Sequence, residues 1–183
     1  MRRIVAVLAA ATALALGTAL PATAATDAPR ASGTGDQCVA DVTTQKMTCF
    51  DTFRQAAKAG SEGAVTTADN PSELTAALAA LGREDWGTGR TWLGTAAWDS
   101  DYRGDALYFW GDRTCATGNG EDYAWDLGGS RWNDQISSLT PSSGCWITLY
   151  QHSQWGGAMS DPFKSPSGNL GWWNDRTSTI SFG

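Results

Sequence analysis

A two-part pattern that occurs twice constrains this chain more than any other feature. Ala97-Trp98-Asp99-Ser100-Asp101-Tyr102-Arg103-Gly104 aligns without a gap on Tyr150-Gln151-His152-Ser153-Gln154-Trp155-Gly156-Gly157, which places an aromatic-x-Gly at the same offset in both. Each copy leads into apolar residues, Ala106 to Phe109 in one and Ala158 to Phe163 in the other. Further on, Leu127-Gly128 through Asn133-Asp134-Gln135-Ile136-Ser137-Ser138 matches Leu170-Gly171 through Asn174-Asp175-Arg176-Thr177-Ser178-Thr179. From the glycine to the asparagine is 29 residues in the first copy and 17 in the second. The first copy therefore carries about twelve inserted residues, placed around Gly111 to Glu121.

Both parts have a physical reading. A hairpin that folds back over its own sheet needs positive φ, which Gly104 and Gly157 adopt at little cost. The aromatic two residues earlier is expected to pack over the bare Cα. The Asn-Asp-x-x-Ser block concentrates hard oxygen donors in a turn, and such mixed carboxylate, hydroxyl and carbonyl sets suit Ca²⁺. Asn, Asp and Ser are also ordinary turn residues. A single such block would arise in roughly one sequence in ten of this composition. Two blocks, each behind an aromatic-x-Gly hairpin, are not explained that way.

Composition narrows the classes of function. Arg2 and Arg3, an apolar run from Ile4 to Leu20, and Ala22-Thr23-Ala24 read as an export signal over residues 1–24. Beyond it 11 basic side chains face 19 acidic ones, a net charge near −8. With no Lys/Arg cluster, nucleic acid is not an expected partner. No apolar run of 18 residues follows the signal, so no membrane span is expected. Four cysteines in an exported chain are expected to pair, in any of three connectivities. The single histidine, His152, rules out a multi-histidine zinc site and leaves one candidate base for a nucleophilic triad.

The chain changes character near residue 86. All ten tryptophans and all four tyrosines lie at or beyond Trp86, and Ala25 to Asp85 holds only Phe50 and Phe53 as aromatics. Residues 25–36 read as a disordered leader. Residues 37–88 read as a small hairpin followed by helices, an accessory or pro-region module without recognisable chemistry. A tight turn at Thr43-Thr44 would set Cys38 opposite Cys49 and form their disulfide, although Thr-Thr suits a two-residue primed turn poorly. Asp51 or Thr52 can cap a helix ending at Gly60. Asn70-Pro71-Ser72-Glu73 resembles a capping box, followed by an apolar stripe at Leu74, Leu78 and Leu81. Residues 89–183 read as all-β, with strands expected at Thr91–Trp98, Asp105–Trp110, Tyr123–Leu127, Gln135–Leu139, Cys145–Tyr150, Ala158–Phe163 and Thr177–Phe182.

These paired hairpins and Asn-Asp-x-x-Ser blocks resemble the βγ-crystallin domain, over about Thr91 to Gly183. The resemblance implies an all-β sandwich of two Greek-key motifs, here preceded by a small α+β region. It also implies a double clamp holding two Ca²⁺ ions, with both motifs contributing to each site. The clamps fall on Asn133, Asp134, the Gln135 carbonyl and Ser137, and on Asn174, Asp175, the Arg176 carbonyl and Ser178, with hairpin carbonyls from Trp98 and Gln151. Ala97 stands where the family has an aromatic, Thr179 where it has the last serine, and the first motif carries the insertion. Cys115 and Cys145 would close a loop of about 30 residues and pin the insertion to the sandwich, worth roughly 3 kcal/mol by chain entropy. Export signal, disulfides and this unit together are similar to secreted bacterial metalloproteinase inhibitors.

The leading expectation is a secreted, extracellular, non-enzymatic, monomeric calcium-binding protein. The alternative is a peptidase inhibitor acting on a secreted protease through a loop at Asp112 to Glu121. Ten tryptophans could form a sugar-stacking platform, although large aromatics in a small sandwich more often build its core. Glu121, Asp122, Asp126 and His152 form no set of nucleophile and base, so an enzyme is not expected and no catalytic residue is assigned.

Overall fold

The computed structural model describes residues 37–81, 90–116 and 120–183. Residues 1–36, where an export signal and a leader are expected, residues 82–89, and residues 117–119 within the expected inhibitory loop lie outside the described residues. In order come β1 (Gln37–Asp41), β2 (Lys46–Phe50), α1 (Phe53–Gly60), α2 (Pro71–Ala80), β3 (Thr91–Ala97), β4 (Ala106–Gly111), β5 (Tyr123–Asp126), β6 (Ser138–Pro141), β7 (Ile147–His152), β8 (Gly156–Met159) and β9 (Thr179–Phe182). They form one sheet of order β2-β1-β4-β3-β6 and a second of order β5-β9-β7-β8.

The duplicated pattern becomes two Greek keys that exchange a strand. β3, β4 and β6 of the first copy share a sheet, but β5 crosses to pair antiparallel with β9 of the second copy. Reciprocally, Ser167 of the second copy bridges Leu139 on β6, with backbone bonds of 3.0 and 2.9 Å. Each half thus completes the other's sheet, and the facing apolar residues form one core that includes Leu93, Phe109, Trp132, Ile136, Leu149, Ile180 and Phe182. Strand β6 begins at Ser138, later than expected, because residues 133–137 are used by the clamp turn. Strand β8 ends at Met159, with Phe163 making only an isolated bridge to Ile147; Pro162 next to it has no N–H for a ladder.

The N-terminal hairpin joins this sandwich. β1 lies parallel to β4, from Gln37 beside Ala106 to Asp41 beside Trp110. The outer face of this sheet is apolar, and α1 and α2 cover it: Trp92, Tyr108 and Trp110 are buried against Ala56, Ala57, Leu74 and Leu78. Cys38 pairs with Cys49, and Cys115 with Cys145. The hairpin register is the expected one, but its loop is the four residues Val42 to Gln45 rather than a two-residue turn. Asp41 Oδ1 accepts from the amides of Thr43 and Thr44, both at 3.0 Å, and Gln45 takes the left-handed conformation that Thr-Thr could not easily supply.

Local signals in the helices hold with two changes. Thr52 caps α1 through the Gln55 amide, and Asn70 caps α2 through the Glu73 amide at 3.0 Å while Glu73 reaches back to the Asp69 amide. Gly60 is the last residue of α1 rather than its left-handed stop. It is needed for close approach, since a Cβ there would lie 2.3 Å from Nε1 of the fully buried Trp110. Leu81 does not join the apolar stripe and stays 46% exposed.

Arg90 fastens the hairpin to α1. Its side chain is buried, donates to the Gly60 carbonyl and pairs with Asp41 at 2.8 Å. Burial alone would raise the Asp41 carboxyl, but hydrogen bonds from Thr44 and Arg90 and the guanidinium charge outweigh it and hold the pKa below the ordinary value. A depressed carboxyl contributes stability that is present above its unfolded pKa of about 3.9 and lost as pH falls through its lower folded value. Asp41→Asn is therefore expected to lower the melting temperature at pH 7 but to converge with the parent near pH 2, measured by melts across that range.

Candidate metal centre

The site lies where the two copies face each other. Asp134 and Asp175, 41 positions apart, both adopt the left-handed conformation with φ of 55°. Asp tolerates this region better than most residues, which gives a backbone reason for its place in each block. The geometry ties each loop to the opposite copy: the Asp134 amide donates to the Thr177 carbonyl at 3.0 Å and the Asp175 amide to the Ile136 carbonyl at 3.1 Å.

The side chains cross in the same way. Ser137 Oγ of the first block donates to Asp175 Oδ1 at 3.2 Å, and Ser178 Oγ of the second lies 3.4 Å from Asp134 Oδ1. Two half-buried oxygen clusters result, each with a carboxylate from one copy and a hydroxyl from the other. The second also gathers the Gln151 carbonyl, which accepts from Ser178 Oγ at 3.0 Å. At the first clamp the contacts come from the neighbours of Trp98: Ser137 N donates to the Ala97 carbonyl at 3.0 Å and Ser138 Oγ to the Asp99 carbonyl at 2.6 Å. Their counterparts are Ser178 N to Tyr150 and Thr179 Oγ1 to His152. Thr179 thus does the work of the serine it replaces, and the inserted residues leave the pairing of the clamps symmetrical.

The asparagines brace the loops. Asn133 donates its amide to Asp134 Oδ2 at 2.9 Å, whereas Asn174 Oδ1 is turned back to accept from the Leu170 amide at 3.0 Å. Gln135 donates its side-chain amide to the Asp134 carbonyl, and the Arg176 guanidinium lies 4.8 Å from the Trp172 ring centre. Neither side chain enters the clamp, which leaves their carbonyls as the expected donors.

The donor set fits a hard divalent ion. Every group is oxygen, one carboxylate stands in each cluster, and the serine hydroxyls can turn their hydrogens outward to present a lone pair. Among the described residues no three or more His, Cys, Asp or Glu side chains gather as a metal cluster.

The hairpins that supply the carbonyls repeat as well. Asp101, Tyr102 and Gly104 have φ of 58°, 60° and 75°, and Gln154, Trp155 and Gly157 have 56°, 61° and 76°. Tyr102 and Trp155, the aromatics of the two hairpins, are about half exposed at 49% and 51%. A Cβ on Gly104 would lie 2.8 Å from Asp99 Oδ2, and one on Gly157 2.7 Å from His152 Cδ2. Asp99 and His152, which also offer the carbonyls bound by Ser138 and Thr179, are the residues that sequence reasoning missed, although their matching positions in the repeat carried the signal. Gly104→Ala and Gly157→Ala are each expected to cost about 2 kcal/mol, seen as a lower melting temperature. Gly129→Ala, at φ 75° in open space, should cost less.

Two Greek keys with exchanged strands and crossed clamps define a βγ-crystallin-like sandwich. No family model and no curated protein matches the chain. Solved structures similar to it include a βγ-crystallin domain from Flavobacterium johnsoniae, 28% identical, covering 50% of this chain and 93% of that one at a TM-score of 0.37. A βγ-crystallin domain from Clostridium beijerinckii is 18% identical, covering 49% and 95% at 0.37. The N-terminal domain of Protein S is 21% identical, covering 50% and 94% at 0.38.

Proposed function

We propose that the protein is a secreted, non-enzymatic, monomeric calcium-binding protein whose two crossed clamps each hold one ion. The observation that carries this reading is the reciprocal pairing of Asp175 with Ser137 and of Asp134 with Ser178. Asp134, Ser178, the Gln151 carbonyl and the Arg176 carbonyl would hold one ion, and Asp175, Ser137, the Trp98 carbonyl and the Gln135 carbonyl the other. Asn133 and Asn174 hold the loops. A bound Ca²⁺ supplies charge that both copies share, which strengthens the junction between them. An acidic chain gains from this, because the ions offset carboxylate repulsion. The test is calorimetric titration of Ca²⁺ into the chelator-treated protein. Two sites support the proposal, and an absence of binding heat together with an unchanged melting temperature counts against it.

A second activity, compatible with the first, is favoured by the braced insertion. Cys115 is tied to Cys145, Asp122 accepts from the Ala116 amide at 2.7 Å and pairs with Arg113, and the Tyr123 hydroxyl donates to Asp112. Segments so held on either side of the loop lose little entropy on binding a partner, as an inhibitor of a secreted metalloprotease would require. Incubation with a thermolysin-like protease tests this; slowed turnover with the loop intact supports it, and cleavage within 112–121 without inhibition removes it.

A further inference from the structure

The two sheets differ on their outer faces. Helices cover the first, whereas the second carries a small cleft of about 270 Å³ over β7, β8 and β9. Its lining includes Trp146, Thr148, Tyr150, Met159, Ser181 and Glu121. Trp146 stands at its rim, 36% exposed, with its backbone clamped on both sides by Gly183: its amide donates to the Gly183 carbonyl at 2.6 Å and its carbonyl accepts from the Gly183 amide at 3.1 Å. Lys164 Nζ lies 3.7 Å from the ring centre and steadies the indole, while Lys164 itself is not part of the cleft lining. Across the floor the Tyr150 hydroxyl donates to the Glu121 carboxylate, with the Thr148 and Ser181 hydroxyls beside it.

We infer that this cleft is a saccharide-binding site, with Trp146 as the platform for one sugar ring and Glu121, Tyr150, Thr148 and Ser181 as partners for its hydroxyls. A pyranose presents an apolar C–H face and a rim of groups that both donate and accept. An exposed indole beside hydroxyls and one acceptor-only carboxylate is complementary to that combination. The cleft is smaller than the pockets that enclose drug-sized ligands, which suits a single ring of a chain that continues into solvent. An extended peptide fits less well. β7 and β9 are interior strands whose backbone groups are already spent in the ladder, and the edge strand β8 is only four residues long, so the sheet offers at most a short edge for strand addition. The site shares Tyr150 with the second clamp, whose Ser178 amide donates to the Tyr150 carbonyl at 2.9 Å, but none of the proposed metal ligands lines it.

The experiment is calorimetric titration of the mature protein with glucose-, xylose- and N-acetylglucosamine-based oligosaccharides of two to six rings, with Ca²⁺ and with chelator. At least one series is expected to bind in both conditions. Trp146→Ala should weaken that binding by about tenfold or more and Glu121→Gln by several-fold, with melting temperature and Ca²⁺ titration unchanged. Trp172→Ala, which removes an exposed indole elsewhere, should bind as the parent does. Failure of every oligosaccharide to bind, or unchanged binding by Trp146→Ala, overturns the inference. Retention of an unstructured peptide in place of the sugars, lost in Trp146→Ala, overturns it as well and reassigns the cleft to peptide.

Discussion

A chain shortened to begin at Arg90 is expected to aggregate or to assemble into oligomers, although it keeps both Greek keys and both clamps. Trp92, Tyr108 and Trp110 face away from the sandwich core and are buried only because α1 and α2 lie on them. Stripping that cover would expose three adjacent large aromatics of about 150–250 Å² each. A contiguous patch of roughly 500 Å² is near the upper limit that monomers tolerate. The same cut removes β1 and opens one edge of β4, a strand of six buried residues that would stay paired only with β3. Light scattering on the shortened and full mature chains, with dye binding to report exposed apolar surface, decides the matter. A monodisperse shortened chain melting within a few degrees of the parent would show that the N-terminal region is dispensable and make a clipped pro-region the better description. Covering an aromatic sheet face is otherwise a structural duty that residues 37–81 perform throughout.

That duty explains where the sequence was legible and where it was not. Periodicity and caps located both helices, and the hairpin register followed from the spacing of Cys38 and Cys49. Nothing local said that β1 would lie parallel to β4, because a pairing across almost seventy residues leaves no trace in either strand's own pattern. The change in aromatic content near residue 86 points to a boundary, yet Trp92, Tyr108 and Trp110 lie on one side of it and their apolar partners on the other. Gly60 illustrates the same limit: its position after a helix suggests a cap, and only the packed structure shows Trp110 against it. The two Asn-Asp-x-x-Ser turns were legible for the opposite reason. Each is a short local motif, and duplication supplied the comparison that a single copy lacks. That both motifs contribute to each site came only with the family resemblance; spacing alone does not name the partner that an Asp at positive φ reaches across the junction.

The crossing sets the largest expected functional effect. Asp134→Ala removes the carboxylate beside Ser178 and Gln151, and Asp175→Ala the one beside Ser137, so each single variant should reduce the stoichiometry from two ions toward one. The double variant should lose measurable binding. Because the half-sites come from opposite copies, each variant damages the ion nearest the other copy's serine; Ser178→Ala should therefore resemble Asp134→Ala more than Asp175→Ala does. Folding should survive, since the core beneath the clamps, with Trp132, Ile136 and Ile180 fully buried, does not depend on either carboxylate. Linkage supplies a second readout. An ion that binds only the folded state adds about 2.7 kcal/mol at a hundredfold excess over Kd, so the parent should melt at a higher temperature in Ca²⁺ than in chelator. The double variant should melt alike in both. Parent-like stoichiometry and affinity in both single variants would remove Asp134 and Asp175 from the site. A Ser178→Ala variant that paired with Asp175→Ala instead would mean that each block binds alone, contrary to the crossed geometry.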